Sequence, residues 1–171
     1  MKRIVIIGTC GCGKTTLGNH LAKNLDYPVT DLDDLYWLPN WKRRPIEEFE
    51  SLIKEATKPE KWIICGNQSR FRHLIWPKAD TIIFLDLPLH TLLKRVFVRA
   101  IKNIHTNFKF CNGNTESYGR LFGPNSIVLW TLKTYRRHRK DYFREMKCAP
   151  KHTKWIYARK TKDMTFLNET F

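Results

Sequence analysis

Two rhythms of apolar residues alternate along this chain. Ile4, Val5, Ile6 and Ile7 are β-branched and uninterrupted, the pattern of a strand buried on both faces. Leu17, Leu21 and Leu25 then recur at helical spacing and predict a first helix. Pro28-Val29-Thr30 reads as a short second strand that runs into the acidic cluster Asp31, Asp33 and Asp34. Pro45 suits the first turn of another helix, with Glu47 and Glu48 beside its positive end, and that helix is expected to reach Lys58. Trp62 to Cys65 and Thr81 to Leu85 predict a third and a fourth strand. Leu89, Leu92, Leu93, Val96, Phe97, Ala100, Ile101 and Ile104 form one helical stripe, with Arg95, Arg99 and Lys102 off it.

From His105 to Pro124 the sequence is polar, contains glycine and has no period, so it reads as a loop or lid. Ser126 can cap a further helix to about Met146, whose second half carries Lys133, Arg136, Arg137, Arg139, Lys140 and Arg144. Trp155-Ile156-Tyr157 predicts a fifth strand, followed by a short tail. Strands alternating with helices predict a parallel sheet covered on both faces, in a single α/β domain. No repeat, low-complexity tract or linker divides the 171 residues.

Composition narrows the picture in three ways. An apolar content of 42% is globular, so the net charge of +15 does not imply disorder. No apolar run approaches the ~20 residues that span a bilayer, and the apolar stretch after Met1-Lys2-Arg3 is too short for a signal peptide, so no membrane partner is expected. The five cysteines are odd in number and two lie in a glycine-rich loop, which points to a cytoplasmic setting. The charge itself is uneven. Residues 94–171 hold 18 lysines and arginines against five acids, a net of +13, while residues 1–93 are nearly balanced. Two explanations stand side by side: a face that binds a polyanion such as nucleic acid, or a solvated surface with some arginines directed at bound phosphates.

The most specific local signal is Gly8-Thr9-Cys10-Gly11-Cys12-Gly13-Lys14-Thr15, a G-x-x-x-x-G-K-T string placed between a buried strand and an amphipathic helix. Gly8, Gly11 and Gly13 allow backbone N–H groups to converge on phosphate oxygens, and the helix N-terminus adds further donors from Cys12 to Thr16. Lys14 reaches the β- and γ-phosphates of ATP or GTP, and the Thr15 hydroxyl can ligate Mg²⁺. Cys10 and Cys12 read as small filler residues. A thiol of lowered pKa at the helix N-terminus is the alternative.

Beyond this loop, the chain resembles the DNA topology modulation proteins, a branch of the adenylate-kinase-like P-loop NTPases. The resemblance rests on Ile4-Val5-Ile6-Ile7-Gly8, Leu32-Asp33-Asp34-Leu35-Tyr36-Trp37, Trp62-Ile63-Ile64-Cys65-Gly66-Asn67, Ala79 to Pro88, and the arginine-rich stretch at Tyr135-Arg136-Arg137. It implies a three-layer P-loop fold with a five-stranded parallel sheet in the order 2-3-1-4-5 and a lid near residues 105–124. Two departures stand out. Members of that family carry an acidic residue before the Gly-Asn pair, where this chain has Cys65, and a Ser-Pro pair is common where it has Thr9-Cys10. Asp31 is a candidate replacement at the metal, because Asp31 and Asp33 follow Lys14 at an offset resembling that of shikimate kinases, whose first aspartate serves the metal and second the acceptor.

The remaining candidates follow from ligands lying at the carboxyl ends of the strands. Asp33 and Tyr36 after strand two, with Asn67 and Arg70 after strand three, are candidates for the acceptor site. Arg70 resembles the arginine that grips the acceptor's phosphate in nucleotide kinases. Arg95 and Arg99 share one helix face and, with Arg136, resemble the arginines that close on ATP. A helix cap for Asp33 and solvated faces for the arginines are the plainer readings. Trp37 and Trp41 either stack on a base or pack a hinge. The expected activity is transfer of the γ-phosphoryl of ATP to a small acceptor such as a nucleotide or nucleoside. The rival is a nucleotide-switched regulator that binds nucleic acid.

Overall fold

A computed structural model describes residues 1–150 and 152–159; the tail expected after the fifth strand lies outside the described residues. Five strands, β1 (Arg3–Gly8), β2 (Val29–Asp31), β3 (Trp62–Cys65), β4 (Thr81–Leu85) and β5 (Lys154–Ala158), form one parallel sheet in the order β2-β3-β1-β4-β5. This is the order that the resemblance implies. A separate two-stranded hairpin, residues 37–38 paired with 42–43, intervenes between β2 and β3 and has no counterpart in the sequence reading.

The β1 side chains alternate between two cores, as the pleat requires. Ile4 and Ile6 pack with Leu17 and Leu21 of α1 (Lys14–Leu25) and Leu92 of α5 (Leu89–His105). Val5 and Ile7 pack with Phe49 and Ile53 of α3 (Ile46–Ala56), Ile75 of α4 (Arg72–Ile75) and Tyr142 of α7 (Ile127–Lys147). Full burial of each aliphatic side chain contributes about 1.5–3 kcal/mol, and a strand feeding both layers fixes its register as well. The α5 stripe is narrower than the sequence suggests: Leu92, Val96 and Ala100 are buried, but Phe97 is 43% exposed. Ser126 caps α7, accepting from the N–H groups of Val128 and Leu129.

Three short helices were not anticipated, α2 (Leu32–Tyr36), α4 and α6 (Tyr118–Phe122). The first is capped by Asp31, whose carboxylate accepts the Asp33 N–H at 3.0 Å. An ion pair with a buried carboxylate closes the far side of the sheet. Asp86, which follows β4, accepts from Arg139 Nε at 2.8 and 3.0 Å and from the Tyr157 hydroxyl at 2.7 Å, tying α7 and β5 to that corner.

Candidate active site

The loop from Gly8 to Gly13 turns at the end of β1 and delivers α1 through Gly13, whose φ of 99° lies in the left-handed region that glycine adopts without strain. Gly8 is fixed by crowding: an added Cβ would sit 2.4 Å from the Leu85 carbonyl oxygen and 2.6 Å from Cys12 Sγ. Lys14 Nζ folds back and donates to the Gly8 carbonyl at 3.0 Å. Burial works against its charge, but the acidic groups around it, Asp33 among them, outweigh burial and hold the ammonium above its ordinary value. Lys14 is therefore a permanent cation at the mouth of the loop.

Cys12 is fully buried and its thiol is pushed up by that burial, so it packs beneath the loop as an inert side chain. Its N–H donates to the Thr9 carbonyl at 3.2 Å. Gly11 rests against α5, and Thr16 is exposed on the first turn of α1.

The Thr15 hydroxyl donates to Asp31 Oδ2 at 2.6 Å. The resulting pair of oxygen ligands lies beside Lys14 at the end of β2, so the donor chemistry fits a hard divalent cation. Among the described residues no three His, Cys, Asp or Glu side chains are grouped to hold a metal ion. An ion here would therefore rely on Thr15 and Asp31, with phosphate oxygens and water completing its shell. Cys65 sits next to Asp31 across the sheet, but its thiol points into the core, donating to the Lys14 carbonyl at 3.4 Å. It lies where a Cβ on Gly18 would come within 2.3 Å, and it is fully buried.

On the acceptor side, Asp33 accepts from Gln68 Nε2 at 3.3 Å. Its side chain is open to water on one flank yet crowded on the others. That crowding, and then the charge of Asp31, hold its carboxyl above the usual range, while Lys14 pulls the other way. Tyr36 packs edge-on against Phe49 and Trp37, with centroids 5.3 and 5.0 Å away. Asn67 braces the loop: Oδ1 accepts the Gly8 N–H at 3.2 Å and Nδ2 donates to the Gly8 carbonyl. Arg70 is exposed and lies over Phe71, whereas Arg72, two residues on, turns into a hollow beside Gly66, Asn67 and Gln68.

Of the arginines expected at ATP, Arg99 reaches the loop, with Nη2 at 3.3 Å from Cys10 Sγ. Arg95, one turn earlier on α5, is half-buried, and Arg136 is exposed on α7. The 105–124 segment is more ordered than an aperiodic loop. Phe110 and Asn114 pair across a tight turn, Asn112 Nδ2 donates to the carbonyls of Asp34 and Trp37 at 2.7 and 2.6 Å, and Asn114 accepts the Trp41 N–H at 2.7 Å. The Arg120 guanidinium lies 4.1 Å over the Trp41 ring, which also meets Trp37 and Phe110 edge-on. Trp41 itself adopts a φ of 56°, a conformation that a bulky side chain keeps only when its surroundings dictate it. The two tryptophans thus serve a hinge-like contact between the 34–43 and 105–124 segments. The sequence signal that could have revealed it is the pair Asn112 and Asn114 flanking a glycine.

A family model described as shikimate kinase matches residues 10–109. The chain is 36% identical over 97 residues to the uncharacterized protein YqaC of Bacillus subtilis, covering 56% of this chain and 54% of that one. It is 32% identical over 108 residues to the shikimate kinase of Clostridium beijerinckii, covering 54% of this chain and 63% of that one. The chain thus spans less than two thirds of the length of either relative. Among solved structures, a shikimate kinase from Acinetobacter baumannii in complex with shikimate superposes with a TM-score of 0.61 at 16% identity, covering 99% of this chain and 90% of that one. At that identity the likeness is one of fold.

Proposed function

The chain belongs to the shikimate kinase family, and from that premise we propose that it is a Mg²⁺-dependent phosphotransferase that moves the γ-phosphoryl of ATP to a hydroxyl of a small acceptor. The observation that carries this reading is the convergence of Lys14, the Thr15–Asp31 pair and Asp33 at the ends of β1 and β2. The loop N–H groups and Lys14 hold the β- and γ-phosphates of the donor, with GTP as the alternative donor. Mg²⁺, held through Thr15 and Asp31, would neutralise charge on those phosphates. Asp33, held by Gln68 at the start of α2, orients the acceptor hydroxyl and takes its proton at a carboxylate oxygen. Arg99, already against the loop, stabilises charge on the phosphoryl in flight, and Arg95 and Arg136 approach as the 105–124 segment closes as a lid.

An ADP-release assay over an acceptor panel of hydroxy acids, nucleosides and nucleoside monophosphates, with shikimate included, tests the reading. The expected result is acceptor-dependent release that disappears in Lys14→Ala. ADP release no faster with any acceptor than with water refutes it.

A second reading keeps the regulator that the DNA topology modulation resemblance suggests. It has one specific support: Lys133, Arg136, Arg137, Lys140 and Arg144 are all exposed and recur at helical spacing, so they form one cationic stripe on α7. Nucleic acid bound along five such charges should lose affinity with a log–log salt slope of about −4.5, since each phosphate neutralised contributes about −0.9. A slope near zero excludes this use of the stripe.

A further inference from the structure

The parallel register carries Asn67 to the mouth of the phosphate loop. Ile6 of β1 pairs with Cys65 of β3, so Asn67, two residues past the strand, lies level with Gly8. The Gly66 N–H donates to the Ile6 carbonyl at 3.1 Å and keeps the chain alongside β1 beyond the end of β3. There the Asn67 amide closes on Gly8 from both sides. Its Oδ1 accepts the Gly8 N–H at 3.2 Å, and its Nδ2 donates to the Gly8 carbonyl. Only this orientation of the amide works, since the reverse would set donor against donor and acceptor against acceptor. An aspartate here would face the carbonyl with a second acceptor, and a serine would offer one polar atom where two are used.

The Gly8 carbonyl has a second donor, Lys14 Nζ at 3.0 Å. A carbonyl oxygen has two lone pairs, so Asn67 and Lys14 together saturate it. An ammonium has three N–H bonds, and one spent on Gly8 leaves two for phosphate oxygens. Gly8 thus anchors the head of Lys14. As a glycine it has no side chain to restrain its own peptide groups, so the anchor is only as fixed as its partners make it. Asn67 is the side chain that grips both of those groups. The next residue faces the other way: Gln68 Nε2 donates to Asp33 at 3.3 Å. Neighbouring residues after β3 therefore serve opposite sides of the site, Asn67 the loop and Gln68 the carboxylate.

We propose that Asn67 is a positioning residue for the phosphoryl donor: it holds the Gly8 carbonyl, and through that carbonyl the Lys14 ammonium, where the β- and γ-phosphates arrive. This rests on the phosphotransferase reading and deepens it. It also moves Asn67 from the acceptor side, where its place after β3 puts it in the sequence, to the donor side, where its hydrogen bonds go. Without the amide, the Gly8 peptide groups turn to water and Lys14 loses a fixed anchor. The ammonium must then be ordered at the moment nucleotide binds, and a long side chain such as lysine loses considerable rotamer freedom in that step. With Asn67 in place the ordering is already done in the fold, so more of the phosphate contact appears as affinity.

The test uses the full chain with Mg·ATP alone and no acceptor. Asn67→Ala should raise the Kd for Mg·ATP about tenfold, the upper end of what one net hydrogen bond supplies. In the isotope-labelled chain without nucleotide, the Lys14 ammonium signal should exchange with water severalfold faster in Asn67→Ala than in the natural chain. Asn67→Ser keeps one polar atom at a half-buried position that water can reach. It should show both effects to a smaller degree, and it serves if the alanine variant does not fold. A residue of the acceptor side would leave Mg·ATP affinity unchanged, and that result overturns the proposal. Weaker Mg·ATP binding with unchanged ammonium exchange overturns it too, because Asn67 would then brace the loop without acting through Lys14. A natural chain that does not bind Mg·ATP overturns the phosphotransferase reading as well, a result distinct from weaker binding in the variants alone.

Discussion

Asp31 has two jobs in this structure, and a pair of substitutions separates them. One carboxylate oxygen caps α2 through the Asp33 N–H at 3.0 Å, and the other accepts the Thr15 hydroxyl at 2.6 Å. Asp31→Asn keeps a good N-cap and removes the charge; Asp31→Ala removes both. Losing the cap costs about 1 kcal/mol. Losing a hydrogen bond to a charged acceptor costs a further 1.5–3 kcal/mol or so when buried, and less here because Asp31 is half-exposed. Asp31→Ala should therefore lose roughly 2 kcal/mol, a fall in Tm of about 4–8 °C for a chain of this size, while Asp31→Asn stays within about 2 °C. The metal should respond to both alike. Removing a group that orients a ligand typically weakens metal affinity by about 10- to 100-fold, so the Mg²⁺ concentration at half the ATP-induced thermal shift should rise at least tenfold in each variant. A natural Mg²⁺ midpoint in Asp31→Asn would show that Asp31 is a cap and nothing more.

Lys14→Ala should abolish most of the ATP-induced thermal shift without unfolding the chain, and an unchanged shift refutes its assigned contact with phosphate. Arg99→Ala should lower turnover by about 10²- to 10³-fold with little change in ATP affinity, because its charge matters most in the transition state; equal loss of both would make it a ground-state binder. Cys65→Asp should fail as a repair of the metal site: the position is sealed against Gly18 and the Lys14 carbonyl, so a carboxylate there should lower Tm by about 5 °C or more, from roughly 2–3 kcal/mol. His138 resists protonation in the fold, at about 4, but not in the unfolded chain, at about 6.5. The unfolded state thus takes up the proton first, and stability should fall as the pH drops from about 6.5 to 4, by about 1–2 kcal/mol after allowance for partial exposure of the ring. Denaturant titrations of the natural chain and of His138→Gln should diverge over that window, and parallel pH profiles would refute the shift.

What the sequence disclosed depended on how each residue's role is set. The three central strands were legible because Ile4 to Ile7, Trp62 to Cys65 and Thr81 to Leu85 are apolar on both faces, whereas the strand order came from the family resemblance and not from these runs. The helices α2, α4 and α6 were not, since four or five residues are too few to display a period. The hairpin at 37–43 turns through Asn40 and Trp41, both left-handed, and propensity does not place a tryptophan there. Side-chain direction was the least legible. Arg70 and Arg72 both follow β3 and only the first was named from the sequence, yet past the 3₁₀ turn at Ser69–Phe71 the first faces water and the second the hollow.

The same limit explains why a net of +13 in the second half of the chain did not indicate a single surface. Along α7 the charges divide by helical phase. Arg139 is committed to the buried Asp86 and cannot serve a ligand without breaking that pair. Thr131, Thr134, His138 and Tyr142 recur on the buried side and bring polar atoms against the sheet, where the first two satisfy themselves by donating to the carbonyls of Ile127 and Trp130. His138 Nδ1 and the Tyr142 hydroxyl, on the side that meets Arg72, have no such partner. Packing alone would favour aliphatic residues at those two positions, as it does at Leu92 and Val96 of α5. The exposed stripe is permitted by solvation and needs no ligand to exist, whereas the unpartnered inner atoms carry a desolvation cost that the solvated charges do not.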